Sequence, residues 1–139
     1  MTYSMDELVA QLKLTPLPEG GYYHELYRDG QAMTTIYFVL EQRKPSRWHR
    51  VLGSSEVWAY HAGAPVQLDL TNACPSEGRQ NTVRLGIDLN AGEVPQHVVP
   101  ADVWQSARTL GDWSWVSCVV APSFSFERFE LFSEAGTAP

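Results

Sequence analysis

A long series of short strand-like segments dominates this sequence, beginning near Tyr22 and continuing almost to the end of the chain. β-Branched and aromatic residues are concentrated in these segments, and Gly, Pro, Asn and Asp residues separate them. Such segments favour β-strands, and their regular alternation with turns is typical of a barrel or sandwich. We therefore predict an all-β fold. The predicted strands cover residues 22–28, 34–40, 47–52, 56–61, 66–70, 83–89, 96–99, 103–107, 113–120 and 124–131.

Helical signals are confined to the start of the chain. Ser4 followed by Glu7 forms a capping-box pattern ahead of Leu8, so the sequence predicts one short N-terminal helix over residues 5–12. Pro16 and the residues that follow it cannot continue this helix, because proline lacks the backbone N–H that a helix needs.

The size and composition of the chain predict a single domain. With 139 residues, of which 44% are hydrophobic, the chain can bury a substantial core. We predict one domain over residues 1–139, with its core over about 12–131 and a frayed tail over 133–139. The aromatic content of 12% and the modest net charge of −6 argue against disorder.

The charges and cysteines indicate a cytoplasmic protein without nucleic-acid or membrane partners. Asp and Glu residues outnumber Lys and Arg by 16 to 10, and the basic residues form no cluster. No apolar run approaches the roughly 18 residues of a membrane span, and residues 1–7 lack the pattern of a signal peptide. Cys74 and Cys118 lie far apart and outside any C-x-x-C motif, so we predict free thiols.

Several widespread catalytic motifs are missing from the sequence. It contains no G-x-G-x-x-G or other Gly-rich phosphate loop, no H-E-x-x-H and no G-x-S-x-G. The sequence therefore argues against the nucleotide, zinc-protease and serine-hydrolase chemistries that these motifs carry.

Two adjacent predicted strands carry the most informative polar residues. The period of two along a strand places Arg47 and His49 on one face of the first strand. By the same rule, Glu56, Trp58 and Tyr60 share a face of the second strand. If the turn between them pairs the strands, an imidazole, a carboxylate and two aromatic rings line one cavity. Such an imidazole can act as a general base or form half of a metal site, and a purely structural His–Glu hydrogen bond is the alternative.

Motifs in this region resemble those of the cupin superfamily. His49, Glu56 and Gly63 match the first histidine, the glutamate and the last glycine of the first cupin motif, and Pro100–Gln105 corresponds to the second motif, Pro-x-Gly-x-x-His. Over about residues 12–131 the chain is also similar to the small cupins of unassigned function, the cupin-5-like family. The matching segments include Leu14–Tyr22, Glu25–Arg28, Thr35–Phe38, Tyr60–Gly63 and Val120–Phe124.

This resemblance implies a double-stranded β-helix, the jelly-roll barrel of cupins, and it bears on metal binding. Metal-binding cupins supply three histidines and one glutamate, whereas here Val51 stands at the second histidine position and Gln105 at the third. Valine cannot ligate a metal, and an amide oxygen is a weak ligand for Fe, Ni or Zn. We therefore expect no cofactor. The alternative is a metal-dependent cupin enzyme that holds a divalent metal with His49, Glu56 and Gln105.

Metal-free catalysis is implied by a further likeness, to sugar-nucleotide epimerases of the dTDP-4-dehydrorhamnose 3,5-epimerase kind. By this likeness His49 would remove a proton next to a carbonyl group, and Tyr60 or Tyr37 would return one. Arg47 or Arg50 would stabilise the enolate or a phosphate, and Glu56 would orient the imidazole. The predicted function is therefore a metal-independent, isomerase-like or other acid–base enzyme acting on a small polar molecule, either sugar-like or carbonyl-containing.

Three further residues belong to the predicted ligand site. Trp58 could stack on a planar ligand or pack in the core, Glu25 could face the barrel interior or form a structural ion pair, and Gln105 lies within the second motif. A non-catalytic barrel that only binds a small molecule is the remaining alternative. Because the exposed edges of a small barrel favour association, we also expect a homodimer.

Overall fold

The computed structural model describes residues 2–78, 80–133 and 136–138. One α-helix, α1, spans Met5–Gln11. The strands are β1 (Thr15–Pro16), β2 (Tyr22–Asp29), β3 (Met33–Glu41), β4 (Ser46–Val51), β5 (Ser55–Gly63), β6 (Val66–Thr71), β7 (Asn81–Leu85), β8 (Gln96–Val99), β9 (Trp104–Thr109), β10 (Trp113–Ala121), β11 (Phe129–Ser133) and β12 (Gly136–Ala138). Short 3₁₀ helices cover Pro75–Glu77, Leu89–Ala91 and Phe126–Arg128.

The strands form two antiparallel sheets of six strands each. The first sheet has the order β1-β2-β3-β10-β5-β8, and the second has the order β12-β11-β4-β9-β6-β7. From β3 to β6, and again from β7 to β11, each strand lies in the opposite sheet from the strand before it. This alternation is typical of a jelly-roll barrel. The predicted all-β fold with one short N-terminal helix is therefore confirmed.

The main hydrophobic core lies between the two sheets. Its buried members include Phe38, Leu68, Trp58 and Cys118, and the rings of Phe38 and Trp58 pack edge to face with centroids 5.7 Å apart. Cys118 is buried and Cys74 is exposed, and both are free thiols, as predicted.

Helix α1 begins as the sequence predicts and covers part of the first sheet. The Ser4 hydroxyl accepts a hydrogen bond from the backbone N–H of Glu7 at 3.1 Å, and the Glu7 carboxylate accepts one from the N–H of Ser4 at 3.4 Å. Leu8 is buried against Val39 and Trp113 in a second apolar cluster. No helix in the described ranges is long and apolar enough to cross a bilayer.

Two predicted strands are shorter than expected because local hydrogen bonds begin 3₁₀ turns. The strand predicted over 83–89 is β7, which ends before a turn that the Asp88 side chain caps. Of the segment predicted over 124–131, only the end is a strand, β11, because the Ser125 side chain caps the preceding turn. Hydrogen bonds between short polar side chains and the backbone compete with sheet formation in this way.

The end of the chain also differs from the sequence prediction. Within 133–139, which we expect to be frayed, Gly136–Ala138 instead form β12 and pair with Leu131–Ser133. The other residues of this segment beyond Ser133, namely Glu134, Ala135 and Pro139, lie outside the described residues.

A tight turn after β1 brings Glu19 into the end of the barrel. Gly20 has a φ of +105°, and a Cβ atom at this position would lie 2.4 Å from the carbonyl oxygen of Pro45. The carbonyl oxygen of Glu19 accepts a hydrogen bond from the N–H of Arg47 at 2.5 Å, which ties the turn to β4. Only glycine fits both the backbone conformation and the close contact.

We expect Gly20→Ala to destabilise the protein by at least about 2 kcal/mol, because it adds a backbone clash to an unfavourable positive φ. Gly30→Ala is the matched control: Gly30 also has a positive φ, +47°, but a Cβ there would meet nothing within 4 Å. The control should cost only about 1 kcal/mol. Urea unfolding of both variants measures the difference, and equal losses would contradict the contact with Pro45.

Candidate functional site

One end of the barrel contains a cavity of about 380 Å³ between the sheets. Its walls are largely apolar, and its polar groups are concentrated at the floor and at the mouth. The aliphatic and aromatic lining consists of Leu17, Tyr23, Ile36, Val51, Val120, Phe124, Phe126 and Phe129, of which Tyr23 also carries a hydroxyl group. The polar lining consists of Glu19, Glu25, Arg28, Thr34, His49, Glu56 and Ser125. A cavity of this size and composition is typical of small-molecule sites.

His49 on β4 lies at the buried floor of the cavity, with only 4% of its surface exposed. Its Nδ1 atom lies 2.7 Å from the carbonyl oxygen of Arg47. Because a carbonyl oxygen can only accept a hydrogen bond, Nδ1 carries the proton and Nε2 of the neutral ring carries a lone pair. Burial lowers the pKa of His49. Electrostatic attraction to Glu56 and the hydrogen bond to the Arg47 carbonyl raise it, but their effect is smaller. At neutral pH the imidazole is therefore uncharged and Nε2 is basic.

A β-bulge in β4 corrects the predicted position of Arg47. Ser46 pairs with Ala107 and His49 pairs with Gln105, so three steps along β4 match two along β9. The extra residue turns both Ser46 and His49 toward the interior and leaves Arg47 exposed. The prediction that Arg47 shares the face of His49 is therefore wrong. Its backbone still contributes, because its carbonyl group sets the tautomer of His49.

Glu56 reaches the same cavity from the facing sheet. Strands β4 and β5 lie in different sheets, so the condition that the turn between them pairs the two strands is not met. Glu56 nevertheless lines the cavity with His49, and the two groups attract each other electrostatically. Burial raises the pKa of Glu56, and His49 and Gln105 oppose this effect.

Glu56 is held by a buried relay of two side chains. Trp58 Nε1 donates a hydrogen bond to Gln105 Oε1 at 2.9 Å, and Gln105 Nε2 donates one to Glu56 Oε1 at 2.9 Å. Because an indole N–H can only donate, it fixes the orientation of the amide, whose NH₂ group then faces the carboxylate. Trp58 and Gln105 thus lie behind the cavity and support Glu56.

The orientation of Gln105 shows whether His49, Glu56 and Gln105 can together hold a metal ion. Gln105 turns its NH₂ group toward Glu56 and its oxygen toward Trp58, and it lies behind the cavity lining, so its oxygen is not placed to be the third ligand of a set with His49 and Glu56. Among the described residues, no group of three or more His, Cys, Asp or Glu side chains is arranged to hold a metal ion. The donor set therefore does not fit the metal of a three-ligand cupin centre.

Glu19 is a site residue that the sequence analysis missed. Its carboxyl group is buried beside His49, with Oε2 lying 3.8 Å from Nε2. Its Oε1 atom is also buried and has no hydrogen-bond partner among the described residues. Burial raises the pKa of Glu19 to about 7. The signal in the sequence is a glutamate directly before Gly20 and Gly21, within the segment Leu14–Tyr22 that matches the cupin-5-like family.

Glu25 and Arg28 form an ion pair at the cavity mouth. Arg28 Nη2 lies 2.8 Å from Glu25 Oε1, and Nε lies 3.4 Å from Oε2. Arg28 Nη1 also donates to the carbonyl oxygen of Phe124 at 3.2 Å. Phe126 lies at this mouth and is 52% exposed. The prediction for Glu25 left open a cavity position or an ion pair, and the structure shows both.

The two candidate tyrosines do not line the cavity. Tyr60 lies two residues beyond the core residue Trp58 along β5, and its hydroxyl donates to the carbonyl oxygen of Gly63 at 2.6 Å. Tyr37 packs edge-on against His61 and Trp115, with ring centroids 6.0 and 5.2 Å apart. The structure therefore brings together His49, Glu56 and Glu25 of the predicted residues, and it supplies Glu19 in place of a tyrosine.

Comparisons with solved structures agree with this fold over most of the chain. A hypothetical protein from Leishmania major has a TM-score of 0.87 and 31% identity, covering 96% of this chain and 90% of that one. A protein from Shewanella oneidensis has a TM-score of 0.86 and 35% identity, covering 96% and 87%. An uncharacterised conserved protein with a double-stranded β-helix domain from Klebsiella pneumoniae has a TM-score of 0.62 and 12% identity, covering 96% and 97%, and supports the fold alone.

Sequence comparison identifies the family. No curated protein matches the chain significantly. The family model described as Cupin superfamily (DUF985) matches residues 6–132, which is nearly the whole chain. The predicted double-stranded β-helix is thereby confirmed, together with the resemblance on which it rests. The chain belongs to the DUF985 family of the cupin superfamily.

Proposed function

We propose that the cavity is the active site of a metal-independent acid–base enzyme that isomerises a small carbonyl compound. The observation that carries the proposal is the arrangement at the cavity floor, where the unprotonated Nε2 of His49 lies 3.8 Å from the carboxyl group of Glu19. A base and an acid at this distance can serve two positions of one bound molecule. The apolar walls keep water from competing for the proton.

In the proposed reaction, His49 Nε2 takes a proton from the carbon next to the carbonyl group. The electron pair of that C–H bond forms the enol double bond, and the carbonyl oxygen takes a proton from the carboxylic acid form of Glu19. In an α-hydroxy carbonyl compound the intermediate is an enediol. His49 gives its proton to the former carbonyl carbon, and the other hydroxyl group gives its proton to Glu19, so the carbonyl group moves by one carbon and both residues are restored. With a pKa of about 7, Glu19 is present in both protonation states near neutral pH.

Glu56 supports the base in this scheme. Its electrostatic attraction to His49 would favour the imidazolium that forms when the ring takes the proton, and Gln105 and Trp58 hold its carboxyl group in place. Glu19 replaces Tyr60 and Tyr37, which the sequence analysis assigned to proton return, because neither tyrosine lines the cavity.

The proposal is tested by deuterium incorporation from D₂O into small α-hydroxyketones and α-hydroxyaldehydes, followed by NMR. His49→Gln should reduce the exchange rate of a responsive compound by about 10²–10⁴-fold, since it removes the base. His61→Gln is the matched control, because His61 is exposed and lies outside the cavity lining; it should exchange at the wild-type rate.

Two outcomes would overturn the proposal. Exchange that is equally fast in His49→Gln would remove the base from the mechanism. A compound that raises the melting temperature of the wild type, yet exchanges no proton, would favour the non-catalytic binding barrel.

A further inference from the structure

We infer that the cavity takes an uncharged molecule with a hydroxyl group at its buried end and a flat apolar body at the mouth. This inference rests on the proposed function only in taking the cavity as the substrate site. The sequence predicts a sugar-like or carbonyl-containing ligand. The inferred ligand class is narrower than this, and it excludes phosphorylated molecules.

The charges that line the cavity argue against an anionic ligand. Three carboxyl groups line it, those of Glu19, Glu25 and Glu56. Arg28 is the one Lys or Arg among the lining residues, all of which belong to the described part of the chain, and its guanidinium is already paired with Glu25 and with a carbonyl oxygen. A phosphate or carboxylate would meet buried carboxyl groups with no unpaired cation to offset them.

The buried floor of the cavity has a polar atom that lacks a hydrogen-bond partner. Glu19 is only 8% exposed, and its Oε1 atom is buried without a hydrogen-bond partner among the described residues. Leaving this carboxyl group unpaired is unfavourable, and a ligand hydroxyl satisfies it in either protonation state, by donating to the carboxylate or by accepting from the carboxylic acid. An alkylammonium group would donate to the carboxylate as well, but it cannot accept from the protonated form of Glu19, and it would lose its hydration on a buried floor. The hydroxyl group is therefore the better match.

The outer half of the cavity favours an apolar body. Phe124, Phe126 and Phe129 pack against one another with ring centroids 4.9 to 5.9 Å apart, and they extend from the exposed Phe126 at the mouth to Phe129, which is buried beside His49. Phe126 keeps half of its surface exposed, while Ile36 and Val120 line the same cavity. A flat ring can stack on these surfaces, whereas a polyol would leave hydroxyl groups facing them unpaired.

Three probes that share one phenyl body separate the possible polar ends: 2-phenylethanol, 2-phenylethylamine and phenylacetate. Binding at pH 7.5 is followed through the ¹³C-methyl signals of Ile36, Val51 and Val120, which line the cavity. We expect 2-phenylethanol to shift these signals with a Kd in the millimolar range, and to bind at least about tenfold more tightly than either charged probe. Phe126→Ala should weaken the binding of the alcohol.

A charge variant gives the decisive comparison. Glu19→Gln should tighten phenylacetate binding and bring its affinity to within about threefold of the alcohol, because a carboxyl group is removed from the floor. Glu77→Gln, an exposed carboxyl variant outside the cavity, should leave all three affinities unchanged. The inference is overturned if phenylacetate or the amine binds the wild type as tightly as the alcohol, or if no probe shifts the cavity signals. Binding of the alcohol without proton exchange into any carbonyl compound would leave the ligand class intact and contradict the proposed catalysis alone.

Discussion

Gln105→Leu should destabilise the protein by about 3–5 kcal/mol, the largest loss we expect from a single substitution. Gln105 is 2% exposed and makes two buried hydrogen bonds at once, with Trp58 Nε1 and Glu56 Oε1. Leucine fills a similar volume but leaves an indole N–H and a carboxylate oxygen buried without these partners. Each unpaired group costs about 1–3 kcal/mol, and a charged group costs more. Urea unfolding measures the loss.

The matched control for this substitution is Gln67→Leu. Gln67 also lies on a strand of the second sheet, but it is only half-buried and bonds to Asp69 and Arg108. We expect a loss of at most about 1 kcal/mol for it. Adding Trp58→Phe to Gln105→Leu should cost less than Trp58→Phe costs in the wild type, because the donor is then already unpaired. A loss below about 1 kcal/mol for Gln105→Leu would contradict the buried relay.

Glu19→Gln should change how stability depends on pH, by about 3 kcal/mol between pH 5 and pH 8. Burial raises the pKa of Glu19 in the folded protein from 4.5 to about 7. Between these values the folded state binds the proton more tightly than the unfolded state, so this group's contribution to stability is full below pH 4.5 and is lost as the pH rises toward 7. A glutamine at this position does not titrate. Relative to the wild type, the variant should therefore gain stability as the pH rises.

Urea unfolding of both proteins at pH 5 and at pH 8 measures this difference. The lowered pKa of His49 acts in the opposite direction, because it costs stability as the pH falls below the ordinary range of histidine. His49 is present in both proteins, so its effect on the free energy of unfolding largely cancels when the pH profile of one protein is subtracted from that of the other. Glu77→Gln, on an exposed turn, should follow the wild-type profile. Parallel profiles of wild type and Glu19→Gln would show that the Glu19 carboxyl is not buried as described.

Local patterns in the sequence predict much of the fold. The capping box at Ser4 and Glu7 predicts where α1 begins, and the alternating and β-branched segments predict most of the strands. These features depend on residues a few positions apart. The exceptions lie after β7 and before β11, where short polar side chains cap 3₁₀ turns instead of extending the strands.

The site depends more on contacts between distant segments. The sequence predicts that His49 and Glu56 share a cavity, and they do, but from facing sheets. The bulge that moves Arg47 outward arises from the register between β4 and β9, which no local pattern reveals. The burial of Glu19 likewise depends on a turn that packs against Pro45. These are the positions at which reasoning from strand periodicity fails.

The protonation state of His49 tests the central claim of this account most directly. The ¹⁵N NMR signals of the four histidine side chains can be recorded at pH 7, with His49→Gln used to assign the signal of His49. We expect Nδ1 to carry the proton and Nε2 to be unprotonated, because Nδ1 faces the carbonyl oxygen of Arg47 and burial lowers the pKa of the ring. A charged imidazolium, or a neutral ring with its proton on Nε2, would contradict the assignment of His49 as the base.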